Sequence, residues 1–143
     1  MANSASIDSA RDHTPPVVEL RVRAEPDQLS VLRAVASAIA LQHNFDLDAA
    51  ADVKLAVDEA ATRLILGSPD DATLSCIFQK IPGALRIALS APTVDASAIG
   101  QPRSFGWHVL NSLTDSITVS SADSLEGTVS TIDMSITEGS AVR

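Results

Sequence analysis

Lys54-Leu55-Ala56-Val57-Asp58-Glu59-Ala60-Ala61-Thr62-Arg63-Leu64-Ile65 reads as the middle of a long amphipathic helix. Val53, Val57, Ala60 and Leu64 recur at i, i+4, i+7 and i+11, which sets them on one apolar stripe. Asp46 stands where an N-cap belongs, and Asp48 adds negative charge to the first turn, at the positive end of the helix dipole. The run Gly67-Ser68-Pro69-Asp70-Asp71 ends the helix after about Leu66. Glu59 and Arg63 lie four residues apart, the spacing of a helix ion pair worth about 0.2–0.5 kcal/mol.

Upstream, residues 17–23 place Val18, Leu20 and Val22 on one face, as in a strand with one side buried. Pro26 and Asp27 suit the first turn of a helix that Leu29, Leu32, Val35, Ala36 and Ile39 carry to about Leu41. Asn44-Phe45-Asp46 breaks it. Downstream, strands are expected at 72–79 and 85–91, joined through Pro82-Gly83. Residues 92–103 read as a long irregular loop, a feature that is often functional in a compact domain. Ser104 then caps a short helix through Leu113, a strand covers 117–120, and a last strand runs from Gly127 to about Ile136. Residues 1–16 read as a flexible N-terminal tail and 138–143 as a C-terminal tail, leaving one domain over 17–137. The order β-α-α-β-β-loop-α-β-β implies an α+β fold: a two-layer sandwich with a mixed, mostly antiparallel sheet covered by helices on one face.

Composition narrows the function. With 143 residues, 45% of them hydrophobic, the chain is long and apolar enough for one core. The formal net charge of −8 argues against nucleic-acid binding, because neutralising phosphates needs a basic footprint. Four aromatic residues and no Tyr make a base-stacking platform a poor fit as well. Cys76 is the lone cysteine, so no intrachain disulfide forms, and its apolar neighbours mark it as a small buried hydrophobe. His13, His43 and His108 have no carboxylate or cysteine at ligand spacing, which excludes a zinc site. The N-terminus lacks a secretory signal and the stretch Ala34–Leu41 is too short for a membrane span, so a cytoplasmic location is expected.

Three segments in this order resemble histidine-kinase-like ATPase (Bergerat) domains. The 54–65 helix is similar to the one that carries the nucleotide-binding Glu and Asn of that fold. Ser104-Phe105-Gly106-Trp107-His108-Val109-Leu110 resembles its later glycine box, and Gly127-Thr128-Val129 its closing strand. Over about residues 17–137 the chain is most similar to RsbW-type anti-sigma factors, in their divergent actinobacterial branch. That resemblance implies a homodimer that binds a stress-response alternative sigma factor and is relieved by an anti-anti-sigma partner. Typical members use ATP with Mg²⁺ to phosphorylate that partner on serine.

Residue by residue, the resemblance gives Glu59 the catalytic, water-orienting role and draws a nucleotide site from Glu59, Arg63, Ser104, Gly106 and Thr128. Two departures weaken the site. Arg63 stands in place of the metal-holding Asn, and arginine has no acceptor with which to ligate a cation. Where the family carries Asp-x-Gly-x-Gly, this chain has Ser90, Ala91 and Pro92, with Asp95 too late to substitute. The leading reading is therefore a sigma-binding domain with degenerate ATP motifs. The alternatives are an active serine-protein kinase and a bare acidic adaptor. Family resemblance puts partner binding on the first helix, at Ser30, Arg33 and Ser37, with Arg33 otherwise an ordinary solvated residue. Seven acids between Asp46 and Asp71 outnumber Lys54 and Arg63 by five, an acidic surface suited to capturing a basic protein.

Overall fold

The computed structural model describes residues 18–95, 97, 105–125 and 127–138. The strands are β1 (Val18–Arg23), β2 (Thr73–Ile81), β3 (Ala84–Thr93), β4 (Ser116–Ser124) and β5 (Gly127–Thr137). The helices are α1 (Leu29–Gln42), α2 (Leu47–Gly67) and α3 (Phe105–Leu113), with a 3-10 turn at Pro26–Gln28 leading into α1. One five-stranded sheet runs in the order β1-β2-β3-β5-β4.

All four pairings are antiparallel, where the sequence reading allowed a mixed sheet. The reason is the number of traverses. Two helices lie between β1 and β2, so the chain enters β2 against the direction of β1. The β4–β5 hairpin likewise folds β5 back between β3 and β4. The expected two-layer sandwich is the one observed.

Helix α1 stops in a tight cap. Asn44 takes a left-handed φ of 73°, which its short polar side chain tolerates, and the Phe45 N–H donates back to the Ala40 carbonyl at 3.1 Å. Asp46 then caps α2, its carboxylate accepting from the Ala49 N–H at 2.8 Å. In α2 the whole stripe of Val53, Val57, Ala60 and Leu64 is buried. The alanines at 49, 50, 56, 60 and 61 are buried with it, so α2 approaches α1 and the sheet closely.

Alternation sets the sheet's two faces. Leu74, Cys76 and Phe78 of β2, Leu85, Ile87 and Leu89 of β3, and Ile132, Met134 and Ile136 of β5 all face the helices and are buried. Each such side chain contributes about 1.5–3 kcal/mol by leaving water. On the opposite face Arg86 grips Asp133 through two bonds, of 3.0 and 2.6 Å. Strand β4 differs from the rest: Ile117 is half-buried and every other residue is exposed.

Strands β2, β3 and β4 outrun their expected limits. The last residues of β3, Pro92 and Thr93, pair with Val129 and Thr128 rather than joining the loop. Pairing to β2 ends at Ser90, so Pro92 lies where β3 has become an edge and its missing N–H is tolerated.

Candidate functional site

Glu59 and Arg63, one turn apart on α2, meet the first turn of α3. Arg63 Nε lies 3.3 Å from Glu59 Oε2, so the spacing read from sequence is used as an ion pair. The Arg63 guanidinium also stands over the Trp107 ring, 5.1 Å from its centroid, a cation–π contact. Gly106 makes the approach possible. A Cβ on it would overlap Arg63 Nη2 and Glu59 Oε2 and lie 2.9 Å from Arg63 Cζ. The α3 backbone therefore rests directly on the ion pair, and the Arg63 side chain is left only 13% exposed. Trp107 is buried, and its indole N–H has no acceptor among the described residues.

These residues do not fit the Mg²⁺ that the fold family uses with ATP. Magnesium requires an octahedron of oxygens, and the one carboxylate in the cluster, Glu59, faces a guanidinium. Arg63 and Trp107 contribute N–H groups, which repel a cation. The adenine position fares no better. Ala91 is buried on the helix side with no polar side-chain atom, while Ser90 points to the open face. Asp95 accepts from the backbone N–H and hydroxyl of Ser97, at 2.9 and 2.6 Å, within its own turn.

Of the other residues assigned to a nucleotide, Ser104 lies outside the described residues. Thr128 does not join the cluster: its hydroxyl donates to Asp123 at 2.8 Å across the β4–β5 hairpin. A polar feature missed in the sequence lies near that end of the sheet. Thr93 and Ser130 are buried and joined through their hydroxyls at 2.7 Å, and Ser121 reaches Ser130 at 2.9 Å. The available signal was a polar residue at an inward position of each strand, after Leu89 and Ala91 in β3 and before Ile132 in β5.

Ser30, Arg33 and Ser37 do come together. With Ala34, Ala38 and Leu41 of α1 and Lys54 of α2, they line an open groove of about 520 Å³. Arg33 is not the ordinary solvated residue of the sequence reading: its Nη1 bonds Asp58 Oδ1 at 2.6 Å and ties α1 to α2. Lys54 has no ion-pair partner among the described residues, so it is the uncompensated cation of the groove. Lys54 was missed as a groove residue and Asp58 as the partner of Arg33, because each sits on the neighbouring helix.

Burial pushes the Cys76 thiol up to about 12, which keeps it protonated and unreactive. Asp52 is raised above the usual carboxylate range, first by burial and then by Asp48 and Asp46. Among the described residues no group of His, Cys, Asp and Glu could hold a metal ion, and no helix is long and apolar enough to cross a membrane.

The chain is 38% identical over 117 residues to the anti-sigma-F factor RsbW of Mycobacterium tuberculosis, in strains CDC 1551 and H37Rv, covering 82% of this chain and 69% of that protein. The chain belongs to the RsbW family of anti-sigma factors. No family model matches it. The fold of this RsbW-family chain is also that of two solved structures. The RsbU and RsbW domains of a Mycobacterium tuberculosis protein superpose with a TM-score of 0.60 at 14% identity, over 85% of this chain and 33% of that one. The histidine kinase domain of an Erythrobacter litoralis blue-light activated histidine kinase gives 0.52 at 14% identity, over 79% and 60%. This RsbW-family chain thus spans a third of the first structure and less than two thirds of the second. The sandwich is that of the histidine-kinase-like ATPase domains.

Proposed function

We propose that this chain binds and sequesters a stress-response alternative sigma factor, that an anti-anti-sigma antagonist relieves it, and that it works as a homodimer without transferring phosphate. The observation that carries the reading is the groove between α1 and α2. Its floor of Ser30, Ala34, Ser37 and Ala38 repeats at i, i+4, i+7 and i+8, a small-residue track that lets a partner helix lie close. Arg33, held by Asp58, and Lys54 supply positive charge at its rim. A cytoplasmic location goes with this reading, since a sigma factor acts on RNA polymerase.

Binding is favoured over catalysis by the Glu59–Arg63–Trp107 cluster. A kinase needs an oxygen ligand for Mg²⁺ beside Glu59, and the side chain there is Arg63. The expected result is that the tagged chain retains a sigma factor from a bacterial extract, identified by mass spectrometry. Millimolar Mg-ATP neither releases it nor changes Trp107 fluorescence in a saturable way. Recovery of no sigma factor under reducing, low-salt conditions overturns the binding reading. A saturable fluorescence change with radiolabel transfer to a partner serine replaces it with the kinase.

A further inference from the structure

The outward side of α2 carries an apolar ridge. Leu47 is 76% exposed and Leu55 51%, and Ala51 between them is exposed as well. Spaced four residues apart, they form one row along the N-terminal half of the helix, about 12 Å from end to end.

The two flanks of that ridge differ in charge. On the α1 side Lys54 opens into the groove described above. On the α3 side stand Asp48 and Asp52, one turn apart, and Asp52 lines a second pocket of about 170 Å³ with Ser112, Thr114, Asp115 and Thr137. Asp115 is held in place there, its Oδ2 accepting from the Thr137 N–H at 2.6 Å. Among the described residues neither Asp52 nor Asp115 has an ion-pair partner, and no lysine or arginine lines the pocket. Burial raises Asp52 above the usual carboxylate range, and the charges of Asp48 and Asp46 raise it further, a cost that a cation entering the pocket offsets.

We propose that the N-terminal half of α2 seats a basic amphipathic helix of a partner protein, with apolar side chains on Leu47, Ala51 and Leu55 and a Lys or Arg reaching the pocket between Asp52 and Asp115. Charge selects this occupant. The two carboxylates repel nucleic acid and anionic lipid, and a net charge of −8 repels a second copy of the chain. Shape selects a helix. The ridge offers side chains and no free backbone edge, so an extended strand would find nothing to pair with, whereas rows spaced four residues apart on two helices interdigitate. A long basic side chain can lay its stem along the ridge and place its head in the pocket. The surface lies apart from the floor of the groove, and the inference does not depend on the sigma-factor reading.

The test uses a labelled synthetic helix of about 18 residues, with Leu along one stripe and Lys on both flanks, titrated into the full chain. A copy with Glu in place of every Lys serves as its counterpart. The Lys peptide is expected to bind saturably by fluorescence anisotropy and to shift the methyl signals of Leu47 and Leu55 in NMR spectra. The Glu peptide binds at least about tenfold more weakly. Leu55→Lys, at an exposed site, also weakens the Lys peptide at least about tenfold while circular dichroism stays unchanged. Two double variants with the same net charge separate a site from general attraction. Asp48→Asn with Asp52→Asn lowers the affinity at least about fivefold, and Asp70→Asn with Asp71→Asn changes it less than about twofold. No saturable binding of the Lys peptide overturns the proposal. So do equal losses in the two double variants, or methyl shifts that leave out Leu47 and Leu55.

Discussion

Gly106→Ala lowers the stability of the chain by about 1–3 kcal/mol, against the direction that helix propensity sets. Replacing glycine by alanine at an unstrained site usually stabilises by about 0.4–1 kcal/mol, because the unfolded chain loses freedom. Gly106 has an ordinary backbone conformation near the start of α3, so that gain is on offer. The new methyl would overlap the Arg63 guanidinium and the Glu59 carboxylate. A fully exposed arginine would swing aside at little cost. Arg63 is 13% exposed, held by Glu59 on one side and Trp107 on another, so it moves only by giving up both contacts. Overpacking of this kind costs about 1–3 kcal/mol, and the cation–π contact adds about 0.5–2 kcal/mol when desolvated. The penalty exceeds the gain, and Tm falls by roughly 3–10 °C for a chain of this size. In an Arg63→Ala background the guanidinium is gone and only the Glu59 carboxylate, 30% exposed and released from its partner, has to turn aside, so the same Gly106→Ala change costs less or becomes neutral. Thermal melts of the wild type, both single variants and the double variant measure the coupling directly. Stabilisation by Gly106→Ala alone would show that α3 does not rest on the ion pair.

The elements of this fold were legible because their signals are local. The α2 stripe, the Asp46 cap and the alternation in β2, β3 and β5 all follow from residues within a few positions of one another. The full length of β4 was not, because Ser121-Ala122-Asp123-Ser124 carries no apolar alternation and is held extended only by pairing with β5. The site shows the same division. Glu59 and Arg63 announce their ion pair by spacing, but nothing near them in sequence announces that Gly106 and Trp107 close over it. Arg33 reads as solvated until α2 brings Asp58 against it, 25 positions along the chain. The acidic surface shrinks for the same reason. Of the seven acids between 46 and 71, Asp46 caps α2, Asp58 holds Arg33 and Glu59 holds Arg63, so about half of the expected field is neutralised or committed locally. What remains for long-range steering is chiefly Asp48, Asp52, Asp70 and Asp71.

Ala34→Arg weakens sigma-factor binding by at least about 100-fold, a loss of roughly 2.7 kcal/mol, and leaves stability within about 0.5 kcal/mol of the wild type. Ala34 is exposed in the middle of the groove floor, so a long side chain there is tolerated by the fold and stands where a partner helix would lie. Centrally placed, desolvated positions carry most of the energy of such interfaces, which is why the expected loss is large. Asp58→Ala separates shape from charge. It leaves the floor unchanged but releases Arg33 from its 2.6 Å bond, so the guanidinium must be ordered again on binding. Immobilising one such side chain costs about 0.5–1.5 kcal/mol, which corresponds to an affinity loss of up to about tenfold. Removing that carboxylate also raises the positive potential beside Lys54. If charge alone governed docking of an acidic partner, Asp58→Ala would therefore tighten binding; if preorganisation governs it, binding weakens. We expect weakening, because the gain from one partly exposed charge is small at physiological salt. Titration calorimetry of both variants against the captured sigma factor decides the matter, and wild-type affinity in Ala34→Arg would remove the groove from the interface.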